Sequence, residues 1–124
     1  MERIKVTPEQ VLDVMREVVA EAGEEFVYEP PTGLGVCLYV HRPHGGGASV
    51  PGCLVGQVLH RLGVPLDELT EHEAQLARTM APKLVDAGEG ADLLVTALDN
   101  AQAIQDGGHS WGAALRAAEE VLSA

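Results

Sequence analysis

The chain has 124 residues, of which 46% are hydrophobic, 22% charged and only 3% aromatic, and its formal net charge is −11. That length fits one domain spanning residues 1–124, burying roughly two thirds of its unfolded surface and needing no disulfide or metal to hold a core. The acidity excludes a general nucleic-acid binder, which needs clustered Lys and Arg, and no apolar run reaches the ~18 residues of a membrane span.

The first residues, MERIKVTPEQ, lack the apolar stretch of a signal peptide, so a cytoplasmic protein is expected. Thr7-Pro8-Glu9-Gln10 then opens a helix, with Thr as N-cap, Pro at the first helical position and Gln three residues after the cap. Val11, Leu12, Met15, Val18, Val19 and Ala22 follow helical spacing, and Gly23 supplies the stop.

Phe26 to Glu29 is short and β-prone, Pro30-Pro31-Thr32-Gly33 turns the chain, and Gly35 to His41 alternates. These segments predict a β-hairpin, too small to stand without helices packed on it. A Gly-rich loop follows, from His41 to Gly52. After Pro51 a helix is expected to about Leu62, with Leu54, Val55, Val58, Leu59 and Leu62 as its apolar stripe. Gly56 inside that helix predicts close packing against a neighbour.

Thr70-Glu71-His72-Glu73 reads as a second capping box, starting a helix that stops near Pro82, and Lys83 to Ala87 adds one turn before Gly88-Glu89-Gly90. The last third reads as a helical hairpin. Leu93, Leu94, Ala97, Leu98, Ala101 and Ile104 line its first helix, Gly107-Gly108 breaks it, and Ser110 caps a final helix carrying Trp111, Leu115, Ala118 and Leu122. The predicted class is α+β: a small, mostly helical domain with one β-hairpin after the N-terminal helix.

Charge is distributed unevenly. Pro30 to Leu66 contains no Asp or Glu, holds eight of the fourteen glycines and carries a formal +2, leaving −13 on the rest. The plainer reading is a loop-rich, buried centre that avoids carboxylates. The sharper one is a locally positive pocket for an anionic small molecule. A strand, a Gly-rich loop and a helix N-terminus in that order can bind an anion through backbone N–H groups and the helix dipole. The candidate ligand-binding residues are His41, Arg42, His44, Gly45, Gly46, Gly47, Ser49, Gly52 and Cys53. Arg42 would supply a bidentate contact to phosphate. The loop is neither a Walker A motif nor a dinucleotide fingerprint. The alternative is a plain hairpin exit whose glycines serve turns.

Cys37-x3-His41-x2-His44-x8-Cys53 resembles a zinc set in composition, but Cys37 and His41 lie about 13 Å apart on an extended strand, so no metal is expected. A Cys37–Cys53 disulfide is disfavoured by a cytosolic setting. Cys53 near a helix N-terminus could be a reactive thiolate, making a cysteine-based enzyme the third reading, or it could be a small buried residue. No cofactor and no catalytic residue are assigned.

Asp99, Gln102 and Asp106 share one side of their helix, with Gln105 near the turn and Trp111 opening the next helix. They form a secondary polar patch with two readings. Either they bond the free N–H groups of the final helix, or they line a polar pocket walled by Trp111. Two segments carry a resemblance: Cys53-Leu54-Val55-Gly56-x-Val58-Leu59-x-x-Leu62-Gly63-Val64 and Ala101-Gln102-x-x-Gln105-Asp106-x-Gly108-x-x-Trp111-Gly112-x-Ala114. With them the chain resembles small proteins of actinobacteria and their phages, a group with no settled activity. The resemblance implies a setting and assigns no site residues, and Gly45 to Val50 is longer than the simple turn expected there.

The functional expectation is a non-enzymatic binding protein that holds a phosphate-bearing, nucleotide-like molecule at the Gly-rich loop. In a phage setting it would sequester such a molecule, and a homo-oligomer is expected. The alternative is an acidic protein–protein adaptor or inhibitor whose helical faces meet a basic partner.

Overall fold

The computed structural model describes residues 2–29, 38–41 and 48–123. Strand β1 is Ile4–Lys5 and helix α1 is Pro8–Ala22. The predicted capping box is present. The Thr7 hydroxyl accepts from Gln10 N, and the Gln10 side chain accepts from Thr7 N at 2.9 Å. Helical spacing puts Val11, Leu12, Met15, Val18 and Val19 on the buried face. Gly23 ends the helix at φ 99°, a backbone conformation that glycine adopts without a Cβ penalty.

Strands β2 (Val40–His41) and β3 (Val50–Pro51) pair antiparallel, with Val40 opposite Pro51 and His41 opposite Val50. The hairpin therefore follows α1, as expected, but its partners differ from those read in the sequence. Val27 instead bridges Ser110, while Gly35, Val36 and Cys37 lie outside the described residues. The physical reason is a competing use of the 24–27 backbone: Glu24 O and Phe26 O accept the N–H groups of Gly112 and Trp111, each at 2.8 Å.

Helices α2 (Leu54–Arg61) and α3 (Leu66–Glu71) follow. The capping box expected at Thr70 does not form. Thr70 lies inside α3, where its hydroxyl donates to Leu66 O at 2.9 Å, and the Glu73 carboxylate is taken up elsewhere. The next helix, α4, begins only at Ala77 and runs to Leu84. It ends two residues past Pro82, near the stop expected there, with the proline in its last turn. After α4 the chain extends instead of adding a helical turn: β4 (Val85–Asp86) pairs parallel with β1, Ile4 beside Val85. That pairing joins residues about eighty positions apart, beyond the reach of local pattern.

A 3₁₀ turn at Gly88–Gly90 leads into α5 (Ala91–Asp106), and α6 (Trp111–Leu122) closes the fold with Ser110 Oγ accepting from Ala113 N. Helix α5 touches α1, α2, α4 and α6, so it is the axis of the molecule. Its centrality explains its two buried polar residues, Gln102 and Gln105. One continuous apolar cluster runs from Val6 to Ala118, with Trp111, Tyr39, Met15, Leu54 and Leu98 among its largest members. Each such side chain contributes about 1.5–3 kcal/mol by leaving water. Leu93, assigned to the inner stripe of α5, is 56% exposed. Among the described residues no helix is long and apolar enough to cross a membrane.

Candidate functional site

The candidate residues fall into three groups. Arg42, His44, Gly45, Gly46 and Gly47 lie outside the described residues. Ser49 is exposed just before β3. His41, Gly52 and Cys53 are brought together where the hairpin meets α2, and their backbone is tightly engaged. Gly52 N–H donates to Tyr39 O at 2.8 Å, Cys53 N–H to Leu38 O at 2.9 Å, and Leu54 N–H to Gln105 Oε1 at 2.9 Å. The N–H groups expected to cradle an anion at Gly52, Cys53 and Leu54 thus serve the fold. Cys53 has no exposed surface and packs in the core beside Leu54 and Val55.

Gly52 has a steric reason to lack a side chain. A Cβ there would meet the His41 ring at 2.5 Å. The close approach lets His41 lie over the start of α2. Beside it is an open cleft of about 390 Å³, lined by Phe26, Tyr28 and Glu29 on one side and by His41, Pro51, Gly52 and Gln57 on the other, with Trp111 also contributing. Phe26 stands edge-on to Trp111, with ring centroids 4.6 Å apart. Gln57 Nε2 donates to Gly52 O at 3.0 Å, which fixes the amide at the cleft wall.

Among the described residues His41 is the one imidazole lining the cleft, and its neighbours define its state. Tyr28 Oη lies 2.6 Å from its Nε2. Burial pushes the imidazolium pKa below the ordinary histidine value, and the negative charge of Glu73 opposes that only in part. The Glu73 carboxylate itself receives two successive backbone donors, Tyr39 N at 2.7 Å and Val40 N at 3.2 Å. It thereby ties the start of β2 to the segment before α4. Ala74, at φ 69°, turns that segment so that Gln75 O can accept the Tyr39 hydroxyl.

The secondary polar patch divides between the core and the surface. Gln102 and Gln105 are buried, and they bond the N–H groups of α4 and α2 rather than those of the final helix. Gln102 Oε1 accepts Ala77 N–H at 2.7 Å and its Nε2 donates to Tyr39 Oη at 2.9 Å. Gln105 Oε1 also accepts Trp111 Nε1–H, at 3.1 Å. Asp99 Oδ1 receives Arg78 N–H at 3.4 Å. Asp106 is exposed at the end of α5, and partial burial of its carboxyl raises its pKa. The final helix finds its partners elsewhere, in Ser110, Phe26 and Glu24.

Phe26, Tyr28 and Gln57 were not read as site residues, and Glu73 was read only as part of a capping box. Phe26 meets Trp111, and Glu73 meets Tyr39 and Val40, far along the chain, so spacing carries no signal for those contacts. Among the described residues no three His, Cys, Asp or Glu side chains are grouped to hold a metal ion, and Cys37 and His44 lie outside those residues. No protein-family model, curated protein or solved structure matches the chain.

Proposed function

We propose that the chain is a binding protein that holds a small phosphate-bearing molecule, of nucleotide-like character, in the cleft between Phe26–Glu29 and the His41/Gly52 end of the hairpin. The observation that carries this reading is the cleft's composition. Its volume of about 390 Å³ suits a small ligand. Aromatic Phe26 and Tyr28 offer a face for a ring, and the Glu29 carboxylate and Gln57 amide offer partners for its hydroxyl or amino groups. His41 and Gly52 bound the carboxylate-free loop at its two ends, and Arg42 follows His41 directly in the chain. Because Gly52, Cys53 and Leu54 have their N–H groups engaged, the phosphate falls to Arg42, His44 and the loop glycines.

Isothermal titration of the full chain with a panel of nucleotides and sugar phosphates tests the reading. Heat from at least one, weakened in Arg42→Ala without loss of folding, is the expected result. Absence of heat from every member of the panel overturns it.

The adaptor reading has one observation in its favour. Phe26, Val27 and Val50 are 41%, 43% and 47% exposed, apolar surface that a protein partner could cover. Native mass spectrometry of the purified protein separates the two, since a retained small molecule belongs only to the first.

A further inference from the structure

Resting on the reading of this cleft as the site of a ring-bearing ligand, but not on where its phosphate lies, we propose that the cleft selects a guanine-type ring. Such a ring stacks on Phe26 and presents two adjacent N–H donors to the Glu29 carboxylate.

The polar side chains of the lining call for donors. Among the described residues the lining holds one carboxylate, Glu29, and no Lys or Arg. Burial holds His41 toward its neutral form, so the fixed charge here is negative. Gln57 adds a second acceptor. Its Nε2 donates to Gly52 O at 3.0 Å, and a carbonyl can be met only by the nitrogen of the amide, so Oε1 is the atom left for a ligand. His41 Nε2 is taken up with Tyr28 Oη at 2.6 Å, which leaves Nδ1 of that ring.

The apolar part suits a flat ring. Phe26 is 41% exposed, whereas Tyr28 and Trp111 are 8% and 1% exposed, so Phe26 offers the free aromatic surface. Trp111 stands edge-on to Phe26 and is itself pinned, because its Nε1–H donates to Gln105 Oε1 at 3.1 Å. The stacking surface is thus held in place before a ligand arrives, which lowers the cost of ordering it.

A guanine edge carries N1–H beside a 2-amino group. A carboxylate accepts two such donors side by side, as it accepts the fork of an arginine. Adenine has a bare N1 next to its amino group, so one carboxylate oxygen would face a lone pair. Hypoxanthine keeps N1–H and lacks the 2-amino group, which makes it the intermediate case.

NMR titrations of the full chain with guanosine, inosine and adenosine, and with their 5′-monophosphates, test the proposal, the preference being read in whichever series binds. The expected result is shifts of the Phe26, Gly52 and Gln57 amides, with guanine favoured over adenine by about tenfold or more, the worth of one hydrogen bond to a charged group. Hypoxanthine should fall between them. Glu29→Gln puts one donor and one acceptor where two acceptors stood, so the guanine preference should shrink or invert. Guanine binding no tighter than adenine, or a guanine preference unchanged in Glu29→Gln, overturns the proposal and leaves the proposed function standing. Unmoved cleft amides with all six compounds overturn the proposal as well. The proposed function falls with it only where other nucleotides and sugar phosphates also leave those amides unmoved.

Discussion

Gln102 and Gln105, one turn apart on α5, each give a side-chain oxygen to the first N–H of a different helix. Gln102 reaches Ala77 of α4 at 2.7 Å, and Gln105 reaches Leu54 of α2 at 2.9 Å. Neither helix is capped by its own N-cap residue, since those positions are Leu76 and Cys53, whose side chains make no capping bond. Each glutamine also joins an aromatic polar atom, Tyr39 Oη or Trp111 Nε1. One helix thus organises two others from inside the core and orients the two large aromatic residues that pack between them.

This arrangement predicts a cost for apolar replacement. Gln105→Leu preserves the bulk of the side chain but leaves Leu54 N–H and Trp111 Nε1–H without their acceptor. A buried donor left unpaired costs about 1–3 kcal/mol, so a loss of roughly 2–4 kcal/mol is expected. Gln102→Leu should lose a similar amount through Ala77 N–H and Tyr39 Oη. Urea unfolding would show a lower midpoint with an unchanged slope. Asn100→Ala, on the exposed side of the same helix, should shift stability by less than about 0.5 kcal/mol. If Gln105→Leu behaves like Asn100→Ala, the capping role is wrong.

The contrast between α1 and these two helices shows what the sequence could disclose. Thr7, Pro8 and Gln10 cap α1 within four residues, so the pattern is local and readable. The caps of α2 and α4 come from 51 and 25 residues away, and no spacing rule links them. The same distance explains Thr70-Glu71-His72-Glu73, which has the right residues for a box but spends Glu73 on Tyr39 and Val40. Helical periodicity located the buried faces of α1, α2, α5 and α6, because burial follows the 3.6-residue repeat. Strand pairs of two residues leave too little alternation to reveal their partners. At the candidate site, His41 and Gly52 were legible as the ends of an unusual loop, whereas Tyr28 enters only through the folding of the chain.

Gly56 tests how closely Tyr39, just before β2, packs on α2. A Cβ at this position would lie 2.9 Å from Tyr39 Cα and nearer still to Tyr39 O. Alanine would gain about 1 kcal/mol in helix propensity. Overpacking against a backbone fixed by Glu73 and Gln102 costs about 1–3 kcal/mol. Gly56→Ala should therefore be net destabilising, measured as a lower thermal midpoint. Gly107→Ala is the control: its φ is −76°, and its closest neighbour is the tip of the His109 ring. There the change should be neutral or stabilising, by up to about 1 kcal/mol. Equal effects at both positions would refute the packing argument.

Glu73 couples the hairpin to the cleft in two ways that one substitution can separate. Glu73→Gln keeps a single acceptor oxygen, so either Tyr39 N–H or Val40 N–H loses its partner, at a cost of about 1–3 kcal/mol. It also removes the negative charge that favours the His41 imidazolium. The His41 pKa should fall further below the ordinary histidine value, read from the ring proton shifts. The Tyr39 and Val40 amide shifts should move in the same sample. A His41 pKa that rises on this substitution would contradict the assigned electrostatics.

Stability should depend on pH with opposite signs at two sites. His41 has a depressed folded pKa, so the unfolded chain binds a proton more readily. Its contribution is fully present above the unfolded value of 6.5 and is lost as pH falls through 6.5 toward the folded value. Asp106 has a raised folded pKa, chiefly from burial and despite the Gln105 amide that donates to it. Its folded form holds a proton that the unfolded chain releases, so its contribution is present below 3.8 and is lost as pH rises through the folded value. Urea midpoints from about pH 7.5 to 5.5 should therefore drop more steeply in the wild type than in His41→Gln. Between about pH 5.5 and 3, Asp106→Asn should lose the stabilising component that the wild type gains on acidification. Parallel curves for wild type and His41→Gln across the upper window would show that His41 titrates alike in the folded and unfolded chains.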